Sequence, residues 1–242
     1  MDLTTVIAKI RESMPLILVA DAQNQIVGKG SGFIYHQSNL VVTCAHVVND
    51  VGGGTINLQF PDAPEAFMVA KVVITDHEHD IALLKFEPDK QRTPLEASST
   101  EAAEGTQVLF SGYPFDLMSL TTHQGIISSI VTDPTGMKSY LIDGTVNPGN
   151  SGGPLMNTQG QVLGVINATR RNRANLLGRI QTMPVGALSL HGIDMVELYS
   201  ALVENLQLGV GYAVPSSYIP AHADQKEKAA KVKKAPTKGK EQ

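Results

Sequence analysis

The sequence predicts an all-β chain made of two antiparallel halves, each a barrel or a sandwich. Three observations lead there. From Pro15 onward, short runs rich in Val, Ile, Leu and Phe alternate with turns made of Gly, Asn, Asp and Ser, the texture of short antiparallel strands. Hydrophobic residues make up 42 % of the 242 and charged residues only 17 %, which supplies a core and excludes wholesale disorder. The stretch 96–106, opening EASSTEAAEG, is small, polar and mildly acidic, as a crossover between two halves would be. Halves of roughly 100 residues have marginal cores on their own, so the two are expected to pack as one unit.

Taken in order, residues 1–13 contain an amphipathic helix with Leu3, Val6, Ile7 and Ile10 on one face. Residues 14–95 form the first half. Its strands are read in PLILVA, QIVGKGSGFIY, NLVVTCA, TINLQF, AFMVAKVVIT and DIALLKF. Residues 107–220 form the second half, with strands in TQVLFSG, SLTTHQGIISSIV, SYLIDGTV, QVLGVIN and LGVGYAVP. An insertion, 169–207, interrupts it. Residues 169–191 carry Arg170, Arg171, Arg173 and Arg179 and read as a long loop. Residues 192–207 space Ile193, Val196, Tyr199, Val203 and Leu206 as a helix would. Residues 221–242 are Lys- and Ala-rich without apolar periodicity and read as a disordered tail.

Charge and cysteine content narrow the function classes. The net charge of −4 is uneven: residues 225–242 hold seven Lys against Glu227 and Glu241, or +5, leaving −9 on the other 224. An acidic body argues against a folded domain that grips nucleic acid and leaves only weak contact through the tail. No apolar run approaches the ~18 residues needed to cross a bilayer, so no membrane association is expected. The single cysteine, Cys44, excludes an intrachain disulfide framework. With Asp2 after Met1 and helical spacing in place of an export segment, the expected location is cytoplasmic.

Three short motifs carry chemistry. In NPGNSGGPL, Asn147 to Leu155, a serine stands between glycines at a strand-to-turn corner. Glycines there allow positive φ and close approach of a substrate, and they let the N–H groups of Gly149 and Ser151, with Asn150 between them, aim at one point as an oxyanion hole. VTCAHVV ends an apolar run on His46, and DIALLK opens a buried strand with Asp80. Singly, each has a plainer reading: a Gly-rich turn, a core or surface histidine, a strand-edge carboxylate. Together they give His46, Asp80 34 residues later and Ser151 a further 71 on, the chain order of a base, its orienting acid and a nucleophile. Two alternatives are weighed against this. DHEHD, Asp76 to Asp80, would set Asp76, Glu78 and Asp80 on one strand face beside His77 and His79 as a metal site, but no matching Cys/His pair lies elsewhere. Cys44, two residues before His46, reads as small buried packing rather than a nucleophile.

With these segments the chain resembles the trypsin-like serine proteases, and within them the HtrA/Deg-like branch, without a PDZ domain. The resemblance runs from Gly28 to Ile219 through GSGFIY, VTCAHVV, DIALLKF, SGYPFDLMSLTTHQGIIS, LIDGTVNPGNSGGPLMNTQGQVLGV and GVGYAVPSS in order. It implies two packed six-stranded β-barrels with a cleft between them, peptide-bond hydrolysis on protein or peptide substrates, and no metal or organic cofactor. Segment by segment it makes His46 the general base, Asp80 its orienting acid and Ser151 the nucleophile.

The chain also departs from the family pattern. Ile26 to Gly28 (IVG) mimics the new amino terminus of activated digestive proteases, but the acid that receives that terminus is replaced by Asn150. The resemblance therefore does not extend to activation by that cleavage. By the same resemblance Thr145 lies at the floor of the primary substrate pocket and Val210 on the strand returning beneath it. Neither offers a carboxylate for Lys or Arg, so a shallow pocket for Val, Ala, Thr, Leu or Met is expected. The Arg-rich stretch 169–191 is read as a docking place for a regulatory protein.

Overall fold

The computed structural model describes residues 2–49, 51–115, 117–168, 183–198, 200 and 209–220. Helix α1, Leu3–Arg11, forms where the apolar spacing predicted it and buries Val6 and Ile10. Burying such a pair contributes roughly 1.5–3 kcal/mol per side chain. The first half follows as β1 (Leu16–Ala20), β2 (Ile26–Ser31), β3 (Phe33–Ile34), β4 (Leu40–Cys44), the single helical turn α2 (Ala45–Val48), β5 (Thr55–Phe60), β6 (Ala63–Asp76) and β7 (Ile81–Phe86). These strands form one antiparallel sheet in the order β2-β1-β5-β6-β7-β4-β3. Its two edge strands are consecutive in sequence and separated only by Gly32. The sheet therefore curls until the extended segment 26–34 touches both neighbours, β1 through β2 and β4 through β3.

The second half closes fully. Strands β8 (Gln107–Gly112), β9 (Thr121–Thr132), β10 (Lys138–Asp143), β11 (Pro154–Asn157), β12 (Val162–Ile166) and β15 (Val210–Pro215) form a barrel in the order β10-β15-β12-β11-β8-β9. The arrangement is the double barrel that the sequence predicts, the first member being a curled sheet rather than a closed ladder. The crossover does not hang free. Leu95 bridges to Tyr35 in the first sheet and Ala97 to Val162 in the second. One hydrophobic cluster spans the seam, joining Val6 and Ile10 of α1, Phe33, Val42 and Leu83 of the first sheet, and Met156 and Val165 of the second. The halves do pack as one unit.

The helix expected over 192–207 begins later than its periodicity suggested. Ser189–Leu190 (β13) and Ile193–Asp194 (β14) form a small hairpin, which takes Ile193 out of the helix. Residues 195–198 are helical, capped by Asp194, whose Oδ1 accepts from the N–H groups of Val196 and Glu197. The remainder of that expectation, with Tyr199, Val203 and Leu206, lies outside the described residues. So do Arg170, Arg171, Arg173 and Arg179 of the insertion and the whole tail 221–242. Among the described residues no helix is long and apolar enough to cross a membrane.

Candidate active site

His46 sits in the one-turn helix that continues β4. The residue at its cap position, Cys44, makes no side-chain capping bond. The cap comes from across the sheet instead: Asp80 Oδ1 accepts from His46 N at 2.8 Å, and Asp80 O accepts from Ala45 N at 3.1 Å. The second carboxylate oxygen, Oδ2, lies 2.6 Å from His46 Nδ1. Asp80 thus holds both the backbone and the ring of one residue, which fixes the imidazole's orientation and leaves Nε2 facing away from the acid. Asp80 itself adopts φ +56°, a left-handed conformation that Asp tolerates better than most residues and that is common where strain serves a site.

Ser151 comes from the second half, on the turn entering β11. Asn150 N donates to Asn147 O and Gly153 N to Asn150 O, both at 3.0 Å, so the turn is tight. Two glycines make it possible. Gly149 has φ +92°, and a Cβ there would stand 2.2 Å from Tyr113 O. Gly152 has φ +85°, and a Cβ would stand 2.2 Å from Ser31 O. The first sheet clamps this turn through Ser31. Its N–H donates to Ser151 O at 2.8 Å, and its hydroxyl donates to Gly149 O at 2.7 Å while accepting from Tyr113 N at 2.9 Å. Among the described residues, the N–H groups of Gly149 and Ser151 donate to no protein acceptor. Asn150, between them, has a fully buried amide whose nitrogen and oxygen both lack a partner among the described residues. The Ile26–Gly28 segment lies in β2, paired with β1.

Seam contacts tie the segments that carry these three side chains to one another. Asn167, the residue after β12, donates from Nδ2 to Asp80 Oδ2 at 2.8 Å. Ser151 Oγ accepts from Ala168 N at 3.1 Å and is not hydrogen-bonded to His46 among the described residues; Ser151 as a whole is only 4 % exposed. Catalytic hydrogen bonds are often long or unmade before substrate arrives. Sequence reasoning missed Ser31 and Asn167. Ser31 had a signal, the glycines on either side of it. Asn167 had only its place at the end of an apolar strand.

The alternatives resolve on local geometry. Cys44, His46 and Asp80 bring possible ligand atoms within 4.8 Å of one another. His46 Nδ1 and Asp80 Oδ2 are engaged with each other, however. Burial, reinforced by the Asp80 charge, pushes the Cys44 thiol well above its ordinary range, and it donates to Ile166 O at 3.2 Å. A protonated, hydrogen-bonded thiol is a poor ligand and a poor nucleophile. The strand face expected to align Asp76, Glu78 and Asp80 does not exist: β6 ends at Asp76, and 77–80 is a turn. Within it, Asp76 Oδ1 accepts from His79 N at 3.0 Å and Oδ2 lies 2.7 Å from His79 Nδ1. Burial alone would raise the Asp76 carboxyl, but the His79 hydrogen bonds outweigh it and hold it below the ordinary range.

Thr145 is half-buried two residues beyond β10. Val210 pairs with Asp143 at the mouth of β15 and is 48 % exposed. The buried aliphatic on that wall is Val146, whose side chain occupies the space a Cβ at Gly211 would need.

A family model described as "Trypsin-like peptidase domain" matches residues 30–165, which contain His46, Asp80 and Ser151. The chain belongs to the trypsin-like peptidase family. Two of its relatives are probable periplasmic serine endoproteases described as DegP-like. That of Rickettsia conorii is 30 % identical over 219 residues, covering 88 % of this chain and 36 % of the relative. That of Marinomonas sp. is 36 % identical over 146 residues, covering 59 % and 30 %. The chain spans about a third of the length of these relatives. A crystal structure of the serine endoprotease from Yersinia pestis shares the fold, with a TM-score of 0.64, 21 % identity, and coverage of 97 % of this chain and 68 % of that one.

These relatives overturn the cytoplasmic expectation, since their names place them in the periplasm. That expectation rested on reading the first residues as a helix and on one cysteine. A lone buried thiol forms no disulfide in either compartment, so the cysteine count never separated the two.

Proposed function

We propose that this trypsin-like peptidase domain hydrolyses peptide bonds in protein substrates as a serine endopeptidase. Ser151 Oγ attacks the scissile carbonyl carbon while His46 Nε2 takes its proton. The N–H groups of Gly149 and Ser151, flanking Asn150, receive the carbonyl oxygen as it becomes an oxyanion. The proton then passes from His46 to the leaving amine as the C–N bond breaks. Water, deprotonated by the same histidine, releases the acyl group and restores Ser151. Asp80 holds the ring in the tautomer with Nε2 free. No step needs a metal or organic cofactor. The observation that carries this reading is the two-point hold of Asp80 on His46, together with a nucleophile turn anchored to the same sheet through Ser31.

Thr145 and Val210, neither of which carries a carboxylate, support cleavage after small or medium aliphatic residues; Asp143, paired with Val210, is the acid that a preference for Lys or Arg would implicate. A fluorophosphonate probe and a peptide library test both parts. Wild type is expected to be labelled and to cleave after such residues, and Ser151→Ala to do neither. Cleavage by Ser151→Ala would sink the nucleophile assignment, and dominant cleavage after Arg or Lys would sink the pocket.

A second reading has a specific observation behind it. Ser151 Oγ is held by Ala168 N, the residue from which the Arg-rich stretch departs, and is not bonded to His46. In that reading the site stays silent until a partner, acidic enough to engage Arg170, Arg171 and Arg173, assembles it. Changing these three arginines to Ala should alter activation and leave probe labelling intact. An unchanged response to partners would remove the second reading.

A further inference from the structure

We propose that His79, gripped by Asp76 and stacked on Tyr218, is a positioning residue for Asp80. This rests on the reading of Asp80 as the acid that orients His46.

Asp80 closes a turn that contains no glycine, yet its own backbone is left-handed at φ +56°. Something must hold the turn in that conformation, because a relaxed turn would let Asp80 return to the commoner negative φ and swing its carboxylate. On the forward side the hold comes from His46, Ala45 and Asn167. On the other side it comes from His79, the residue immediately before. Asp76 takes both the N–H and the ring Nδ1 of His79, closing a four-residue loop at the end of β6. The ring then lies on Tyr218 with centroids 4.2 Å apart and planes 19° apart. Tyr218 belongs to the other half: it ends the 3-10 turn Ser216–Tyr218 after β15, and its hydroxyl accepts from Lys138 N at 3.1 Å at the start of β10. The turn that presents Asp80 is therefore fastened to the second barrel, the barrel that carries Ser151. The His79 and Asp76 side chains are only 19 % and 25 % exposed, so the pair is set into the seam and is more than surface decoration.

The chain thus aligns its acid and its nucleophile through an aromatic contact that lies outside the reacting groups. Such a contact affects turnover rather than substrate affinity, because it touches no substrate and changes only how well His46 is oriented. Small misplacements of reacting groups cost up to ~10² in rate.

The test measures kcat and KM on a fluorogenic peptide with Val before the scissile bond, for folded proteins verified by thermal melts. His79→Ala and Tyr218→Leu are each expected to lower kcat about tenfold with KM within twofold. Tyr218→Phe, which keeps the stacked ring, should restore kcat to within twofold of wild type. The double variant should be no slower than the slower single, since both remove one contact. Asp80→Asn separates the two levels of the argument. If Asp80→Asn turns over normally, the triad reading falls. If Asp80→Asn is crippled while His79→Ala and Tyr218→Leu keep wild-type kcat, the positioning role alone is overturned. A rise in KM with unchanged kcat overturns it as well. Should His79→Ala not fold, Tyr218→Leu beside Tyr218→Phe decides the matter.

Discussion

Among the described residues two histidine–aspartate pairs are built to one pattern. In His46–Asp80 and in His79–Asp76, one carboxylate oxygen accepts the histidine backbone N–H and the other meets the ring Nδ1, at 2.6 and 2.7 Å. Their local chemistry is nearly interchangeable. What differs is what lies beyond each ring. His46 is on a helical turn at the end of a buried strand, with Asn167 bracing its acid and the Ser151 turn across the seam. His79 is on a tight turn with a tyrosine ring against its face. The comparison teaches that a His–carboxylate bond does not by itself mark a catalytic dyad. What lies beyond the ring distinguishes the pair in the proposed site from the pair outside it.

Variants should separate the pairs by magnitude. Ser151→Ala and His46→Ala are expected to reduce peptide cleavage by ~10⁴-fold or more, because members of such a unit act together. Near-normal turnover by His46→Ala, with loss in His77→Ala, would mean that the base is a different histidine. Asp80→Asn should cost roughly 10³- to 10⁴-fold through the wrong ring tautomer. Equal losses in Asp76→Asn and Asp80→Asn would erase the distinction between the two pairs.

Asn167→Ala removes one donor from the Asp80 carboxylate. We expect a loss of about tenfold in kcat, or ~1.4 kcal/mol, close to the low end of the ~1.5–3 kcal/mol for one hydrogen bond to a charged group. Steady-state kinetics beside Asn167→Ser, which can still donate, would sharpen the assignment, and equal turnover by all three proteins would refute it.

The smallest effect on turnover is expected far from both pairs. Arg92 is buried over the Phe60 ring, 3.6 Å from its centroid, and paired with Asp62 at 2.9 Å. Burial pushes the Asp62 carboxyl up, but hydrogen bonds from Lys90 and Arg92 outweigh it and hold its pKa below the usual carboxylate range. The folded value being the lower one, this stabilisation is present above the unfolded pKa of ~3.9 and is lost as pH falls through the folded value. Asp62→Asn should therefore lower stability by about 1–2 kcal/mol at pH 7, with the gap to wild type closing as pH falls through the folded value, and leave kcat unchanged. A stability gap that persists undiminished at low pH would refute the charged pairing.

Much of the fold was legible because period and punctuation are local properties. The apolar spacing of Leu3 to Ile10 made α1, and the alternation of short apolar runs with turn residues made the strands of both halves. Where two patterns overlapped, local reading failed. Ile193 fits a helical face, yet it pairs with Leu190 in a hairpin, and Asp194 starts the helix by capping it. DHEHD alternates like a strand, yet the chain turns there because Asp76 takes hydrogen bonds from His79.

The sequence by itself determined the residue types of the candidate site and their order, His46, Asp80 and Ser151, because glycines around a serine and polar residues at the ends of apolar runs are marks that a linear text carries. Only the tertiary structure decided which polar groups converge. Ser31, Asn167 and Tyr218 reach the site from segments 80 or more residues from the groups they touch, and no local pattern encodes such a distance. The curl of the first sheet about Gly32 and the closure of the second barrel bring those segments together. Convergence is a property of that packing, since hydrogen bonds of a few ångströms form only where the buried seam between two β layers has already fixed the backbone on both sides.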